Sequence, residues 1–219
     1  MKKKILLVAV PVVIALLLVV FGRDFLDLYR LQNHVASSTK AYLADGGAWP
    51  HLTDVCMGCH GVKGNSLAQG YPSLAGQPTL YVATQLRNFA SSQRSDPNMG
   101  PLAMTLGASE IKLVADYYAR QIPVENRYFH PDPHLRAKGE QLVKASACVA
   151  CHGAALMGHD QFPRLAGQGY DYLVKQLNAF ADGARTEPTG TMKSLAAAMS
   201  SEDRAAVASY LASLKPDTK

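Results

Sequence analysis

Two thiols separated by two residues, with an imidazole directly behind the second, occur twice in this chain. They are Cys56, Cys59 and His60, then Cys148, Cys151 and His152, and they use all four cysteines of the 219 residues. C-x-x-C-H is the attachment unit of c-type haem. Both sulfurs, on one side of a helical turn, add across the porphyrin vinyl groups, and the adjacent imidazole comes under the iron as a ligand. A zinc site would need its second cysteine pair within about 15 to 20 residues, whereas Cys59 and Cys148 stand 89 positions apart. A thioredoxin-like redox pair belongs to a βαβ pattern, for which this sequence gives no indication. The expected cofactors are two covalently bound haem c groups, each with one iron.

An iron held this way has a sixth position, and what occupies it decides between electron transfer and open-site chemistry. Downstream of His60 come Met99 and Met104; downstream of His152 come Met157, His159, Met192 and Met199. Met99 lies 39 residues after its histidine and Met192 lies 40 after its own, so they are matched positions. The expected metal ligands are therefore His60 with Met99 and His152 with Met192. Met104 and Met199 match less well and read as core residues at the approach to the last helix of each copy. The second ring nitrogen of each axial histidine also needs a partner. Pro72 and Pro163, 12 and 11 residues further on, have no N–H, and their carbonyls are free to accept.

The elements that must position these groups are themselves duplicated. Tyr71-Pro-Ser-Leu-Ala-Gly-Gln77 matches Phe162-Pro-Arg-Leu-Ala-Gly-Gln168, and Tyr81-Val-Ala-Thr-Gln-Leu-Arg-Asn-Phe89 matches Tyr172-Leu-Val-Lys-Gln-Leu-Asn-Ala-Phe180. Tyr81, Phe89, Tyr172 and Phe180 read as helix walls around the porphyrins. Arg94 and Arg185 admit two readings, as propionate partners or as solvated surface. Each copy closes with a helical i, i+3, i+4, i+7 pattern, Ile111, Val114, Ala115, Tyr118 and then Val207, Tyr210, Leu211, Leu214. No stretch alternates as a half-buried strand would, so the fold class is all-α. At roughly 85 residues each copy is small enough that a bulky apolar group in its core would matter for stability. The expected organisation is an N-terminal membrane anchor over 1–23, a connecting segment over 24–43, one haem domain over 44–121, a proline-rich linker over 122–134 and a second haem domain over 135–219.

The net charge of +5 and pI near 9.0 do not indicate a nucleic-acid partner. Lys2, Lys3, Lys4 and Arg23 flank an apolar run, leaving 18 basic residues against 17 acidic ones in the remainder. That run, Ile5 to Phe21, has 17 uncharged residues, roughly 26 Å as a helix, which nearly spans a bilayer core. A cleaved signal peptide is the competing reading. Gly22-Arg-Asp-Phe-Leu offers no small-x-small cleavage site, and the first candidate, Val35-Ala-Ser37, lies far downstream. The expectation is an uncleaved transmembrane helix with Lys2 to Lys4 on the cytoplasmic side.

Residues 44 to 215 resemble the cytochrome c4 family, two-domain dihaem members of the class I cytochromes c. The resemblance rests on CMGCHG and CVACHG, on YPSLAGQ and FPRLAGQ followed by Tyr-x-x-x-Gln-Leu, on the loops around Met99 and Met192, and on the closing ADYYA and ASYLA. It implies two His/Met haems in the periplasm. Single electrons would then pass from a quinol-oxidising complex or dehydrogenase towards a terminal oxidase, and the chain would be a carrier rather than an enzyme. The anchor departs from the family pattern, and so does Gly46-Gly-Ala-Trp-Pro50, which replaces the Lys138-Gly-Glu-Gln-Leu142 of the second copy and implies a shortened or re-angled opening helix. Two rivals stay open: a dihaem enzyme of peroxidase or thiosulfate-oxidising type, with His159 or His51 as the residues to suspect, and a fixed subunit of a larger membrane complex.

Overall fold

A computed structural model describes residues 2–44 and 51–217, the side chains at 2–10, 12–16, 19 and 44 excepted. The described residues are helical without a strand, and the isolated bridge between His159 and Phe162 is their only β-type pairing. Two units are separable, Met1–Trp49 and Pro50–Lys219.

The first unit contains α1 (Lys2–Ala44), an uninterrupted helix of 43 residues with Pro11 inside it. It runs through both the expected anchor and the connecting segment. The transmembrane span expected over 1–23 is not found: among the described residues no helix is long and apolar enough to cross a membrane. Beyond Phe21 the helix continues as a charged, exposed one, with Arg23, Asp24, Asp27 and Arg30 on it. Most side chains of the apolar run itself lie outside the described residues, as does the departure expected at Gly46 to Pro50.

The second unit holds both copies. The first comprises α2 (Asp54–His60), a 3₁₀ turn (Val62–Gly64), α3 (Thr79–Ala90), α4 (Met99–Met104) and α5 (Ala108–Ala119). The second comprises α6 (Pro133–Ala145), α7 (Cys148–His152), α8 (Tyr170–Ala181), α9 (Thr191–Ala197) and α10 (Ser201–Ser213). Each copy has its own apolar cluster. On α5 the predicted stripe is fully buried at Ile111, Val114, Ala115 and Tyr118. On α10 Val207 and Leu211 are buried, while Tyr210 and Leu214 pack against the cluster from its edge. In the second copy α6 crosses α10 at Gly139, where a Cβ would stand 1.9 Å from the Ala206 carbonyl oxygen, so only glycine lets the two backbones meet.

Each copy balances volume within itself at a positive-φ position. Gly64, at φ +78°, has the Tyr118 ring where a Cβ would lie 2.6 Å away. Its counterpart is Leu156, at φ 57°, buried in the second cluster alongside Leu211, the counterpart of Tyr118. A large ring with no side chain beneath it has become two leucines.

The copies also cap each other. The Tyr81 N–H at the start of α3 donates to the Asp160 carbonyl (3.1 Å), and the Tyr172 N–H at the start of α8 donates to the Gln69 carbonyl (2.9 Å). Each helix N-terminus, which has unpaired N–H groups by construction, thus finds an acceptor in the opposite copy. The linker is fastened rather than loose. Asn65 binds the Ile122 carbonyl (3.1 Å) and the Val124 N–H (2.9 Å), and Asn126 exchanges two side-chain bonds with Gln69. Asp132 then caps α6 by accepting from the His134 and Leu135 N–H groups, both at 2.9 Å, with Pro133 in the first turn.

Candidate functional site

Each C-x-x-C-H unit forms a short helix, α2 or α7, that stops at its histidine. Gly61 (φ 74°, ψ 170°) and Gly153 (φ 82°, ψ 157°) turn the chain away immediately afterwards, and a Cβ on Gly61 would collide with the Asn65 carbonyl oxygen at 2.0 Å. The turn sends the chain round to the proline loop. There the His60 Nδ1 lies 2.8 Å from the Pro72 carbonyl oxygen, and the His152 Nδ1 lies 2.8 Å from the Pro163 carbonyl oxygen. A carbonyl only accepts, so Nδ1 carries the hydrogen in both rings and Nε2 keeps its lone pair. Both imidazoles are buried. Burial lowers their pKa values, against the opposing pull of the proline carbonyls, and keeps the rings neutral. A neutral imidazole with a fixed tautomer and a free Nε2 is a metal ligand in waiting.

The thiols accompany them. Cys56 and Cys148 pack against the first and second apolar clusters, and all four cysteines are free. Burial pushes the Cys56 thiol up. Beside it the buried Tyr118 hydroxyl makes no well-formed hydrogen bond, a polar atom left at the edge of the site. Two thiols and one oriented imidazole in each copy, backed by apolar clusters, are the donor set that a covalently tethered haem requires, and the residues fit it.

Met99 opens α4 and Met192 sits in the first turn of α9, each half-buried against the cluster of its own copy. Both are held by a carboxylate that spacing alone did not single out. Asp96 Oδ1 accepts from the Met99 N–H (3.1 Å) and the Asn98 N–H (3.0 Å); Glu187 Oε1 accepts from the Met192 N–H (3.0 Å). Partial burial works the other way, but the Met99 and Asn98 N–H groups, with Lys175 and Arg94, hold the Asp96 carboxyl below its usual range, and the Thr189 hydroxyl and N–H, then the Met192 N–H, do the same for Glu187. The clue in the sequence is that Asp96 and Glu187 stand 91 positions apart, just ahead of matched methionines. Met199 packs at the edge of the second cluster as expected. Met104 does not: it is 69% exposed, because Ala103 takes the inward position at the end of α4.

The two suspected histidines are engaged locally. His159 is exposed, contacts Asp160, and pairs through its backbone with Phe162, next to Pro163, on the same side as the Nδ1 of His152. His51 binds Asp54 at the start of α2, through its N–H to Oδ2 at 2.9 Å.

Arg94 and Arg185 belong to neither of the two readings given above in full, because both reach across to the opposite copy. Arg94 donates to Gln85 (2.7 Å), Gln176 (2.9 Å) and the Tyr172 hydroxyl (3.1 Å), and its guanidinium lies 4.6 Å from the Phe89 ring centre. Arg185 mirrors it on Gln176 (2.8 Å), Gln85 (3.3 Å) and the Tyr81 hydroxyl (3.1 Å), lying 4.5 Å from the Phe180 ring centre. Burial alone would raise the Tyr172 phenol, but the two guanidiniums bring it down to about 8. Tyr81 and Tyr172 are therefore interface residues through their hydroxyls.

One residue breaks the symmetry. Arg164, where the first copy has Ser73, is 1% exposed and donates to the carbonyls of Ala75 (3.1 Å), Ser73 (3.4 Å) and Ala166. Burial pushes it down to about 10, which leaves it charged through the neutral range. It places a fixed positive charge beside both proline loops. A fixed cation disfavours the more positive, oxidised state of a nearby metal.

Comparison with known proteins agrees with this geometry. The cytochrome c family model matches residues 136–215. The chain is 38% identical to cytochrome c4 of Thiocapsa roseopersicina, over 73% of this chain and 87% of that one. It is 34% identical to the thiosulfate dehydrogenase electron acceptor of Thiomonas intermedia, over 87% and 93% of the two chains. The crystal structure of reduced cytochrome c4 from Pseudomonas stutzeri superposes with a TM-score of 0.71 at 31% identity, covering 80% of this chain and 98% of that one. With two C-x-x-C-H helices, two oriented imidazoles and relatives that span both copies, the chain belongs to the cytochrome c4 family and carries two covalently bound haem c groups.

Proposed function

We propose that this protein relays single electrons in a bacterial respiratory chain, from a quinol-oxidising complex or dehydrogenase towards a terminal oxidase, and is a carrier rather than an enzyme. What supports the reading is that each copy has a buried imidazole whose Nδ1 is engaged by a proline carbonyl, and a half-buried methionine on a loop clamped by a carboxylate. An occupied sixth position favours electron transfer over substrate binding. When bound, the haem supplies the one-electron chemistry. The chain supplies the rest. Cys56, Cys59, Cys148 and Cys151 would tether it, His60 and His152 would ligate with Pro72 and Pro163 fixing the rings, and Met99 and Met192 would supply the second protein ligand of each iron. Similarity to a thiosulfate dehydrogenase electron acceptor supports a dehydrogenase as donor.

A redox titration should resolve two one-electron steps, and a dehydrogenase with its substrate should reduce the protein by two electrons per chain. Turnover of peroxide or thiosulfate by the protein alone would overturn the reading in favour of the dihaem enzyme.

The haem domains are placed in the periplasm, with residues 1–23 holding the chain at the inner membrane; the 17-residue uncharged run behind three lysines supports this. The protein should stay with membranes after an alkaline wash. Release, with a mature N-terminus beyond Phe25, would remove the anchor.

A further inference from the structure

The two proline loops lie back to back, and each is gripped by the glutamine that ends the other. Gln168 Oε1 accepts from the Ser73 N–H at 2.7 Å, and its Nε2 donates to the Ser73 carbonyl at 3.0 Å. Gln77 does the same to Arg164, accepting from its N–H at 2.9 Å and donating to its carbonyl at 3.0 Å. Both glutamines are nearly inaccessible, at 2% and 3% exposure. Water cannot take their place, and each grips with both ends of its amide.

The residue gripped is not arbitrary. The Ser73 N–H and the Pro72 carbonyl belong to one peptide group, and that carbonyl accepts from His60 Nδ1. Likewise the Arg164 N–H shares a peptide group with the Pro163 carbonyl that accepts from His152 Nδ1. A chain of bonds therefore runs from each imidazole, through one peptide, to a side chain of the opposite copy.

Donation by the peptide N–H draws electron density onto its own carbonyl oxygen. Hydrogen bonds in such a series strengthen one another, most of all where the surroundings are apolar. A more basic carbonyl takes a larger share of the Nδ1 proton, and the imidazole then donates more strongly through Nε2 to the metal. Stronger donation favours the oxidised iron.

The structure assigns Gln168 as a positioning residue for the axial histidine of the first copy, His60, and Gln77 as the positioning residue for His152, so that each copy tunes the haem of the other. The assignment rests on His60 and His152 being the axial ligands. The signature is a crossed effect, which a residue that merely supports its own loop would not produce.

The test uses the full-length, haem-loaded protein and reads the two Nδ1–H proton resonances of the reduced form together with the two potentials. In the unsubstituted protein both rings should show the ring-current displacement of a ligand stacked on porphyrin. Its absence would defeat the ligation itself, separately from the glutamine roles. Gln168→Leu should move the His60 Nδ1–H and raise the potential of that haem, while the His152 signal stays in place. If half of an ordinary net hydrogen-bond contribution is lost, the reduction equilibrium changes about twofold, roughly 18 mV at 59 mV per tenfold for one electron. Gln77→Leu should do the converse. Gln168→Glu keeps an acceptor for the Ser73 N–H and should not raise the His60 potential. An effect on the same copy only, an equal shift of both haems in either leucine variant, or a rise with Gln168→Glu would each overturn the assignment.

Discussion

Replacing Cys148 and Cys151 together by alanine should halve the haem that stays with the protein after denaturation and acid extraction. On the proposed assignment the two sulfurs attach one haem, and the second copy has no other cysteine to replace them. The loss should reach the fold of that copy. Its apolar cluster draws in Cys148, Met157, Met192 and Met199 from the edge, and a copy of roughly 85 residues has little stability to spare without the bulky group it is proposed to hold. Near-native secondary structure in the first copy, with early melting of the second, is the expected thermal profile. Because each copy caps the other's helix at Tyr81 and Tyr172, the first copy should also melt at a lower temperature than in the intact protein. An unchanged haem content would refute attachment at this site.

The parts legible in the sequence are those written in local spacing. A C-x-x-C-H run makes its own helical turn, a proline cannot donate, and the stripe of Ile111, Val114, Ala115 and Tyr118 declares which face of α5 is buried. These need no knowledge of what lies far along the chain. Arg94 and Arg185 show the limit of such reasoning. Their match was visible, but their partners lie 78 to 104 positions away in the other copy, and only the docking of the copies brings them into range. Gln77 and Gln168 are the same case: a residue repeated at the end of a repeated motif looks like a family mark until the two motifs are seen to face each other.

Arg164 was not singled out by the sequence, although it puts a charge beside an apolar Leu-Ala-Gly stretch. Its meaning depended on three carbonyls, Ala75, Ser73 and Ala166, two of them from the opposite copy. Met104 failed for the opposite reason. Its place at the approach to the last helix gave it a core role, yet the tight six-residue α4 offers its inward face to Ala103. The short helix was not part of the expected pattern, so the face could not be assigned. Exposed at 69%, Met104 is also poorly placed to compete for a buried ligand position.

The methionine pair gives the second large effect. Native reduced protein should bind carbon monoxide poorly at both haems, since with Met99 and Met192 as the proposed ligands an incoming molecule must displace a thioether and distort the loop that carries it. Those loops resist, because the backbone at Met99 is tied to Asp96 and that at Met192 to Glu187. Met99→Ala and Met192→Ala should each open one iron to carbon monoxide and lower the potential of that copy by a sizeable part of the roughly 0.8 V over which axial ligands act. Met104→Ala should change neither property, and Met199→Ala should cost the second copy no more than about 3 kcal/mol of packing with its haem unaltered. Should Met104→Ala or Met199→Ala open an iron while the matched pair did not, the relay would survive with different ligands. Ready binding of carbon monoxide by the native protein at one haem near neutral pH would be the more damaging result. That iron would then have a labile position, as an enzyme needs and a carrier does not.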